Sequence, residues 1–223
     1  MAKPSAPFEF KQCTSIIKAT GMKARDLKEL RTLISIIDDA SIFHHTYQYF
    51  LKGHIMEYTN DFAHWAGEGL EERALSEHLS NIDIFAYKDI SELRAKLLAQ
   101  IDTYSEKFPE PREAMEGDEF YFNETVTLVF PVGIRVKNLA ELLMAIKHVD
   151  AGSIYYHFYE ARVRLGEGVD DFSAWIKDVF QKTDLVKKIS GIDLFMHNVE
   201  GIREHLLEFL EDEVQRDMEV VHR

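Results

Sequence analysis

The sequence predicts a mainly α-helical fold, a tandem duplication of a helical unit of about 110 residues in which each copy is opened by a short β-strand or hairpin. Three observations support this prediction. Segments recur along the chain at a nearly constant spacing, each copy carries one-sided apolar stripes at helical period, and each copy opens with a short segment suited to a strand. With 46% hydrophobic and 29% charged residues, the composition is that of a globular protein.

The duplication is inferred from segments of the first half that recur in the same order in the second half. The spacing is 112 residues at the start and 109 in the last helix. The matched pairs are Phe8–Phe10 with Phe120–Phe122, Gly21–Leu30 with Gly133–Leu142, Ser41–Tyr47 with Ser153–Tyr159, and Asp61–Trp65 with Asp171–Trp175. We therefore predict repeats at 1–110 and 111–223, packed as one globular body about a pseudo-two-fold axis, with two separate domains as the alternative. A proline-rich, charged linker is expected near 106–118.

The opening strand is clearest in the second copy. Thr125–Phe130 is rich in β-branched and aromatic residues, which favours a strand, and its counterpart in the first copy is Cys13–Ala19. Gly21 and Gly133 follow these segments and are expected to end the strands.

The helices of each copy are predicted from their caps and apolar periodicity. The expected N-caps are Asp26, Asn60 and Asp89 in the first copy and Asn138, Asp170 and Asn198 in the second. A further helix is expected from about Ser41 or Ser153. Asp61 and Asp171 also recur at the start of a helix, where capping is favoured over metal binding.

Charge and cysteine content exclude several classes of protein. The formal net charge of −13 argues against a general nucleic-acid binder and against adsorption to an anionic membrane. The single cysteine, Cys13, excludes an internal disulfide. The sequence begins without a signal peptide and contains no apolar run of about 20 residues, so we expect a cytoplasmic protein without membrane spans.

Several of the recurring motifs also resemble a known family. They are Phe-x-Phe near the start, Gly-x-x-Ala-x-x-Leu-x-Glu-Leu at Gly21–Leu30, Ser-Ile-x-x-His at Ser41–His45, and Asn-Asp-Phe-Ala-x-Trp at Asn60–Trp65. In these motifs the chain resembles the bacterial and archaeal domain of unknown function family 5752 over nearly its whole length. The second half departs from the pattern, which implies that function resides mainly in the first. The resemblance supplies no reaction, cofactor or catalytic residue.

A polar set recurs near the start of the second predicted helix. Only one pair among the ten histidines is matched between the copies. The recurring residues are Ser41, His45 and Tyr47 with Ser153, His157 and Tyr159. Serine and histidine four residues apart share a helix face. If the two imidazoles meet at the pseudo-axis, they share a metal or an anionic ligand. The favoured alternative is packing and local hydrogen bonding.

Basic residues recur just before a helix N-terminus in both copies. They are Lys23, Arg25, Arg135 and Lys137. Helix N-termini attract anions, so this arrangement suggests an anion site. The alternative is that these side chains face water or pair with Glu29 and Glu141.

These observations favour a non-enzymatic binding or regulatory module. Its expected ligand is a small anionic metabolite or a protein partner at the seam between the repeats. The alternative is a metal-dependent, hydrolase-like enzyme that uses His45 and His157 with nearby carboxylates, and a structural adaptor is a third possibility. The sequence does not decide between binding and catalysis, because it contains no recognised nucleophile elbow, phosphate-binding loop or dinucleotide fingerprint. It indicates no cofactor.

Overall fold

A computed structural model describes residues 6–49, 57–110, 112–164, 169–194 and 196–221. Two strands, β1 (Phe8–Ala24) and β2 (Phe120–Val136), each precede a series of helices. After β1 come α1 (Leu27–Ile36), α2 (Asp39–His45), α3 (Asp61–Glu68), α4 (Arg73–Ser80), a 3₁₀ turn (Ile84–Ala86) and α5 (Ile90–Lys107). After β2 come α6 (Leu139–His148), α7 (Ala151–Ile154), a π-helical segment (Tyr155–Glu160), α8 (Ala161–Arg164), α9 (Asp171–Phe180), α10 (Thr183–Ser190) and α11 (Val199–Val221).

The strands make this a mixed α/β fold, so the predicted mainly α class is wrong. Each strand has 17 residues, far more than the short opening strand expected, and the two pair as a two-stranded sheet. Lys18 pairs with Glu124 and Lys23 with Glu119, which shows that the strands run antiparallel. The tandem duplication, which belonged to the same prediction, is not established by this fold.

Gly21 and Gly133 lie inside the strands and do not end them. Their φ angles are +78° and +82°, in the left-handed region that L-residues with a side chain rarely adopt. A glycine at these positions lets each strand pass through that conformation and continue, as at a β-bulge.

The chain divides into two compact units whose bounds differ from those of the predicted repeats. The central unit is Ser15–Thr127, and the terminal unit combines Met1–Thr14 with Leu128–Arg223. Each unit contains a part of both strands, because the first part of each strand packs with helices remote from it in the sequence. Packing of the predicted repeats about a common axis stays a prediction.

The core of the central unit forms where β2 begins. Phe120 and Phe122 are buried, as expected for alternate residues on one face of a strand. The ring of Phe120 stacks on Phe62 of α3 with a centroid separation of 5.1 Å, and Trp65 lies 5.7 Å away.

The core of the terminal unit is built in the same way from the start of β1. Phe8 and Phe10 are buried, and the ring of Phe8 lies 5.3 Å from Phe172 and 5.6 Å from Trp175, both on α9.

The predicted helix caps are confirmed. Asp26 accepts the N–H of Glu29 at 2.8 Å, Asn60 that of Ala63 and Asp170 that of Ser173. Asn138, Asp89 and Asn198 cap α6, α5 and α11 in the same manner. The capping boxes differ in one detail, because the carboxylates of Glu29 and Glu141 accept the N–H one residue before the cap. No helix in the described part of the chain is long and apolar enough to cross a bilayer.

Candidate functional site

Ser41 and His45 hold both backbone groups of one residue of β2. The hydroxyl of Ser41 donates to the carbonyl oxygen of Asn123 at 2.7 Å, and Nε2 of His45 accepts the N–H of Asn123 at 2.9 Å. Residues four apart on a helix share a face, so both side chains of α2 reach the same strand residue. Their donor and acceptor take the place of the backbone N–H and C=O groups that a neighbouring strand would offer. We call this arrangement the strand clamp.

The strand clamp fixes the protonation of His45. A backbone N–H can only donate, so Nε2 carries a lone pair and the proton lies on Nδ1. Nδ1 lies 2.7 Å from Oδ2 of Asp61 and donates to it. His45 is 2% exposed, so this imidazole is a buried, neutral connector between β2 and α3.

The terminal unit contains a second strand clamp of the same design. Ser153 donates to the carbonyl oxygen of Lys11 at 2.6 Å, and Nε2 of His157 accepts the N–H of Lys11 at 2.8 Å. Nδ1 of His157 lies 2.8 Å from Oδ2 of Asp171. His157 is therefore also fixed as the Nδ1–H tautomer.

These geometries correct one prediction and leave others untested. Asp61 and Asp171 do not cap α3 and α9, because the neighbouring residues, Asn60 and Asp170, do so. Each carboxylate accepts a hydrogen bond from a histidine. Each predicted site histidine lies in the core of its own unit, and a ligand-binding role for either stays a prediction.

The two predicted tyrosines are buried. The hydroxyl of Tyr47 donates to the carbonyl oxygen of Ile84 at 2.6 Å, and burial raises the pKa of Tyr47. The ring of Tyr159 stacks on Tyr155 with a centroid separation of 5.4 Å.

Three of the four predicted basic residues form ion pairs. Lys23 pairs with Glu119 at 2.8 Å, Arg25 with Glu29 at 3.3 Å and Arg135 with Glu9 at 2.8 Å. The backbone N–H of Lys137 donates to Glu141. The pairing of Arg25 is the alternative expected from the sequence, whereas the partner of Lys23 lies directly before β2 and the partner of Arg135 lies on β1. Anion binding by this set is untested.

An acidic cavity of about 380 Å³ opens beside the strand clamp of the central unit. His45 and Asp61 are among its lining residues, and Trp65 and Phe120 supply buried aromatic surface. Its described lining includes no lysine or arginine and four carboxylates: Asp61, Glu68, Asp118 and Glu119. A cavity of this size that combines aromatic surface with convergent polar groups is typical of a small-molecule site.

The rim of this cavity already holds an internal cation. The ammonium of Lys23 donates to Glu119 and lies 5.8 Å from the centroid of the Tyr121 ring. This hydrogen bond, with help from the N–H of Gly117, lowers the pKa of Glu119 to about 2. Glu119 is therefore negatively charged at neutral pH. The Glu68 carboxylate accepts the hydroxyl of Tyr58 at 2.6 Å and raises the pKa of Tyr58 to about 12.

Trp65 is held against the cavity by its backbone surroundings. Its indole N–H donates to the carbonyl oxygen of Asp118 at 2.7 Å. A Cβ at Gly69 would lie 2.5 Å from the indole ring, closer than real contacts allow. Glycine at this position therefore leaves room for the indole that lines the cavity.

Sequence reasoning missed the rim of the cavity. Asp118 is the last residue of the predicted linker, and the sequence analysis singles out neither Glu119 nor Glu68. The one available signal was the position of Asp118 and Glu119 directly before Phe120–Phe122, a segment already recognised from its recurrence.

One group of side chains has the composition of a metal site. Ligand atoms of His44, His45 and Asp61 lie within 4.8 Å of one another. However, a metal ion at Nε2 of His45 would displace the N–H of Asn123 and break the strand clamp, and one at Nδ1 would displace the proton that is donated to Asp61. The residues present therefore do not fit a metal ion in this geometry.

The chain was compared with known families, solved structures and curated proteins, and the first two comparisons gave matches. The model of a family of unknown function, DUF5752, matches residues 5–211. The solved structure of OrfY from Thermoproteus tenax is similar, with a TM-score of 0.80 and 32% sequence identity, over 95% of this chain and 97% of that one. No curated protein matches the chain.

Proposed function

The chain belongs to the DUF5752 family of unknown function, and from this premise we propose that it is a non-enzymatic binding or regulatory module whose ligand site is the acidic cavity of the central unit. The observation that carries the proposal is the cavity itself, where carboxylates and aromatic rings face open space beside a rigid strand clamp. Binding sites placed on a rigid scaffold are a common arrangement.

The lining of the cavity favours binding over catalysis. The described residues around it include no serine, threonine, cysteine or lysine that would act as a nucleophile. The pKa of Glu119 is lowered, whereas a carboxylic acid that donates a proton at neutral pH needs a raised pKa. His45 has both ring nitrogens in structural hydrogen bonds.

The metal-dependent alternative has weaker support. It needs His45 and His157 to act together, yet each histidine belongs to the strand clamp of its own unit and donates a hydrogen bond to an aspartate of that unit. Zinc should therefore not raise the thermal midpoint of metal-free protein. Stoichiometric zinc binding that is lost in Asp61→Ala would revive this alternative.

Two single-tryptophan variants test the proposal. The chain has two tryptophans, of which Trp65 lines the cavity and Trp175 lies in the terminal unit. In Trp175→Phe, a panel of cationic, neutral and anionic metabolites is titrated while Trp65 emission and the thermal midpoint are followed. We expect at least one compound to change both, because a bound ligand stabilises the folded state.

The matched control is Trp65→Phe, in which Trp175 is the reporter. We expect its emission to stay constant with the same compounds. If no compound in the panel alters Trp65 emission or the midpoint of Trp175→Phe, the cavity is not a small-molecule site and the proposal fails.

A further inference from the structure

The chemistry of the cavity identifies the class of ligand. We propose that the cavity binds an organic cation with a primary ammonium group on a short alkyl chain, such as a diamine or a polyamine. This inference rests on the proposed function, because it assigns a ligand class to the same cavity. It replaces the anionic metabolite expected from the sequence, since four carboxylates would repel an anion.

The first argument is the division of the lining into two surfaces. Asp118 and Glu119 supply charge at the rim, whereas Trp65 and Phe120 supply buried aromatic surface. An alkylammonium ion matches both, because its head group pairs with carboxylates and aromatic faces while its alkyl chain covers apolar surface. A simple inorganic cation would use only the carboxylates.

The second argument is the internal ammonium group of Lys23. It forms an ion pair with Glu119 at 2.8 Å and lies over the ring of Tyr121 at 5.8 Å, so the rim already binds an ammonium by both contacts. The Lys23 side chain is 48% exposed and comes from β1 outside the lining, so a ligand can displace it without opening the core. Lys23 therefore acts as an internal competitor for Glu119.

The third argument is the charge that remains when Lys23 is paired. Within the described residues, no donor pairs with the carboxylate of Asp118, which lies next to Glu119 on the rim. One lysine thus faces a rim with more than one carboxylate. The surplus of negative charge gives a second cation a favourable position even before Lys23 moves.

The closing experiment measures the affinity of the Trp175→Phe protein for 1,4-diaminobutane and spermidine. Neutral 1,4-butanediol and anionic succinate have similar carbon chains and serve as ligand controls. We expect both amines to change Trp65 emission, the diol and succinate to have no effect, and amine affinity to fall as salt is raised. Equal binding of the diol and the diamine would overturn the inference.

Three variants locate the ammonium group. Glu119→Gln and Asp118→Asn should each weaken amine binding about 10-fold, because each removes a charged hydrogen-bond acceptor. Lys23→Met should tighten it several-fold by removing the competitor. The control Asp178→Asn changes the net charge equally but lies on α9 of the terminal unit, and it should bind as wild type.

The outcomes separate this inference from the proposed function. If a neutral or anionic compound alters Trp65 emission and no amine does, the cavity is a binding site but the ligand class is wrong. If amines bind with unchanged affinity to both Glu119→Gln and Asp118→Asn, or Lys23→Met binds no more tightly than wild type, the rim does not hold the ammonium. If no compound binds, both proposals fail.

Discussion

The central and terminal units share a scaffold and differ at its rim. Both units place a serine and a histidine on the two backbone groups of one strand residue, and in both the histidine Nδ1–H donates a hydrogen bond to an aspartate. In both units the tryptophan N–H donates to a backbone carbonyl beside the strand, at Asp118 or at Ala6. Because the shared contacts are complete within each unit, they form a framework that needs no ligand to explain it.

The two units also differ at residues that line the cavity. Where the central unit has His64, Gly69, Asp118 and Glu119, the terminal unit has Ala174, Val179, Ala6 and Pro7 at the matching positions. At three of these positions, His64, Asp118 and Glu119, the central unit therefore carries a charged or polar side chain where the terminal unit carries a small or apolar one. A feature that differs while its scaffold is kept is the better indicator of a specific site, which is why our proposal puts the ligand site in the central unit.

Substitutions in the strand clamps test whether the two units are each held together by equivalent contacts. His45→Ala and His157→Ala each leave a backbone N–H and a carboxylate without their partner, and each also opens a cavity. We expect each variant to lose about 4 kcal/mol of unfolding free energy, measured by urea denaturation. A loss in only one unit would show that the two clamps are not equivalent.

His64→Ala is the matched control for His45→Ala. His64 lines the cavity, is only half-buried and stacks on Tyr58, and the terminal unit has alanine at this position. We expect a loss below about 1 kcal/mol. If His64→Ala loses as much unfolding free energy as His45→Ala, the loss in His45→Ala cannot be attributed to the strand clamp.

The caps of α3 and α9 offer a second test. Asn60 is fully buried, and its amide donates to the carbonyl oxygen of Leu79 at 3.0 Å. Asp170 is also fully buried, but Arg162 lies 3.8 Å from its carboxylate. Asn60→Asp would bury a carboxylate that faces a carbonyl oxygen, so we expect a loss of about 3 kcal/mol at pH 7.

The pH dependence of Asn60→Asp gives its signature. Burial raises the pKa of Asp170, and the same cause should act on an aspartate at position 60. As the pH falls, an aspartate with a raised pKa is protonated in the folded state at a higher pH than in the unfolded state. The unfolding free energy lost in Asn60→Asp should therefore become smaller as the pH falls toward 4. A loss that does not depend on pH would contradict a buried charge as its cause.

The serines provide a third, smaller test. Ser41→Ala and Ser153→Ala leave the carbonyl oxygens of Asn123 and Lys11 without their hydroxyl donors. We expect each to lose about 1 to 2 kcal/mol of unfolding free energy, measured by urea denaturation. Ser35→Ala is the control, because Ser35 is exposed and its hydroxyl donates to a carbonyl of its own helix, and it should change stability by less than about 0.5 kcal/mol.

Local features of the fold were predictable from the sequence, and long-range ones were not. The caps at Asp26 and Asn60 follow from residue types next to apolar periodic segments, so they were found. The length of β1 was missed because Ser15–Lys23 is largely exposed and lacks the alternation that marks a half-buried strand. Its partner strand lies about 100 residues away in the sequence, at a separation that local patterns do not report.

The strand clamp shows the same limit at the site. The Ser-x-x-x-His spacing correctly placed both side chains on one helix face, but their partner is the backbone of Asn123 or Lys11. Every residue carries the same backbone groups, so no sequence signal identifies that partner. The rim was missed because acidic residues near a predicted linker are ordinarily solvated, and only the fold brings Asp118 and Glu119 next to Trp65.

Glu119 gives the smallest and most specific test, because the terminal unit has Pro7 in its place. The ammonium of Lys23 and nearby N–H groups lower the pKa of Glu119 to about 2 from an ordinary value of 4.5. A lowered pKa means that the contribution of Glu119 to stability is fully present above about pH 5 and is lost as the pH falls toward 2. The difference in unfolding free energy between wild type and Glu119→Gln should therefore be constant from pH 7 to 5, shrink below pH 5 and be lost only as the pH reaches about 2. Lys23→Met should weaken this dependence, since it removes the cation that is the largest cause of the lowered pKa. If the dependence is as strong in Lys23→Met as in wild type, the backbone donors cause the shift instead.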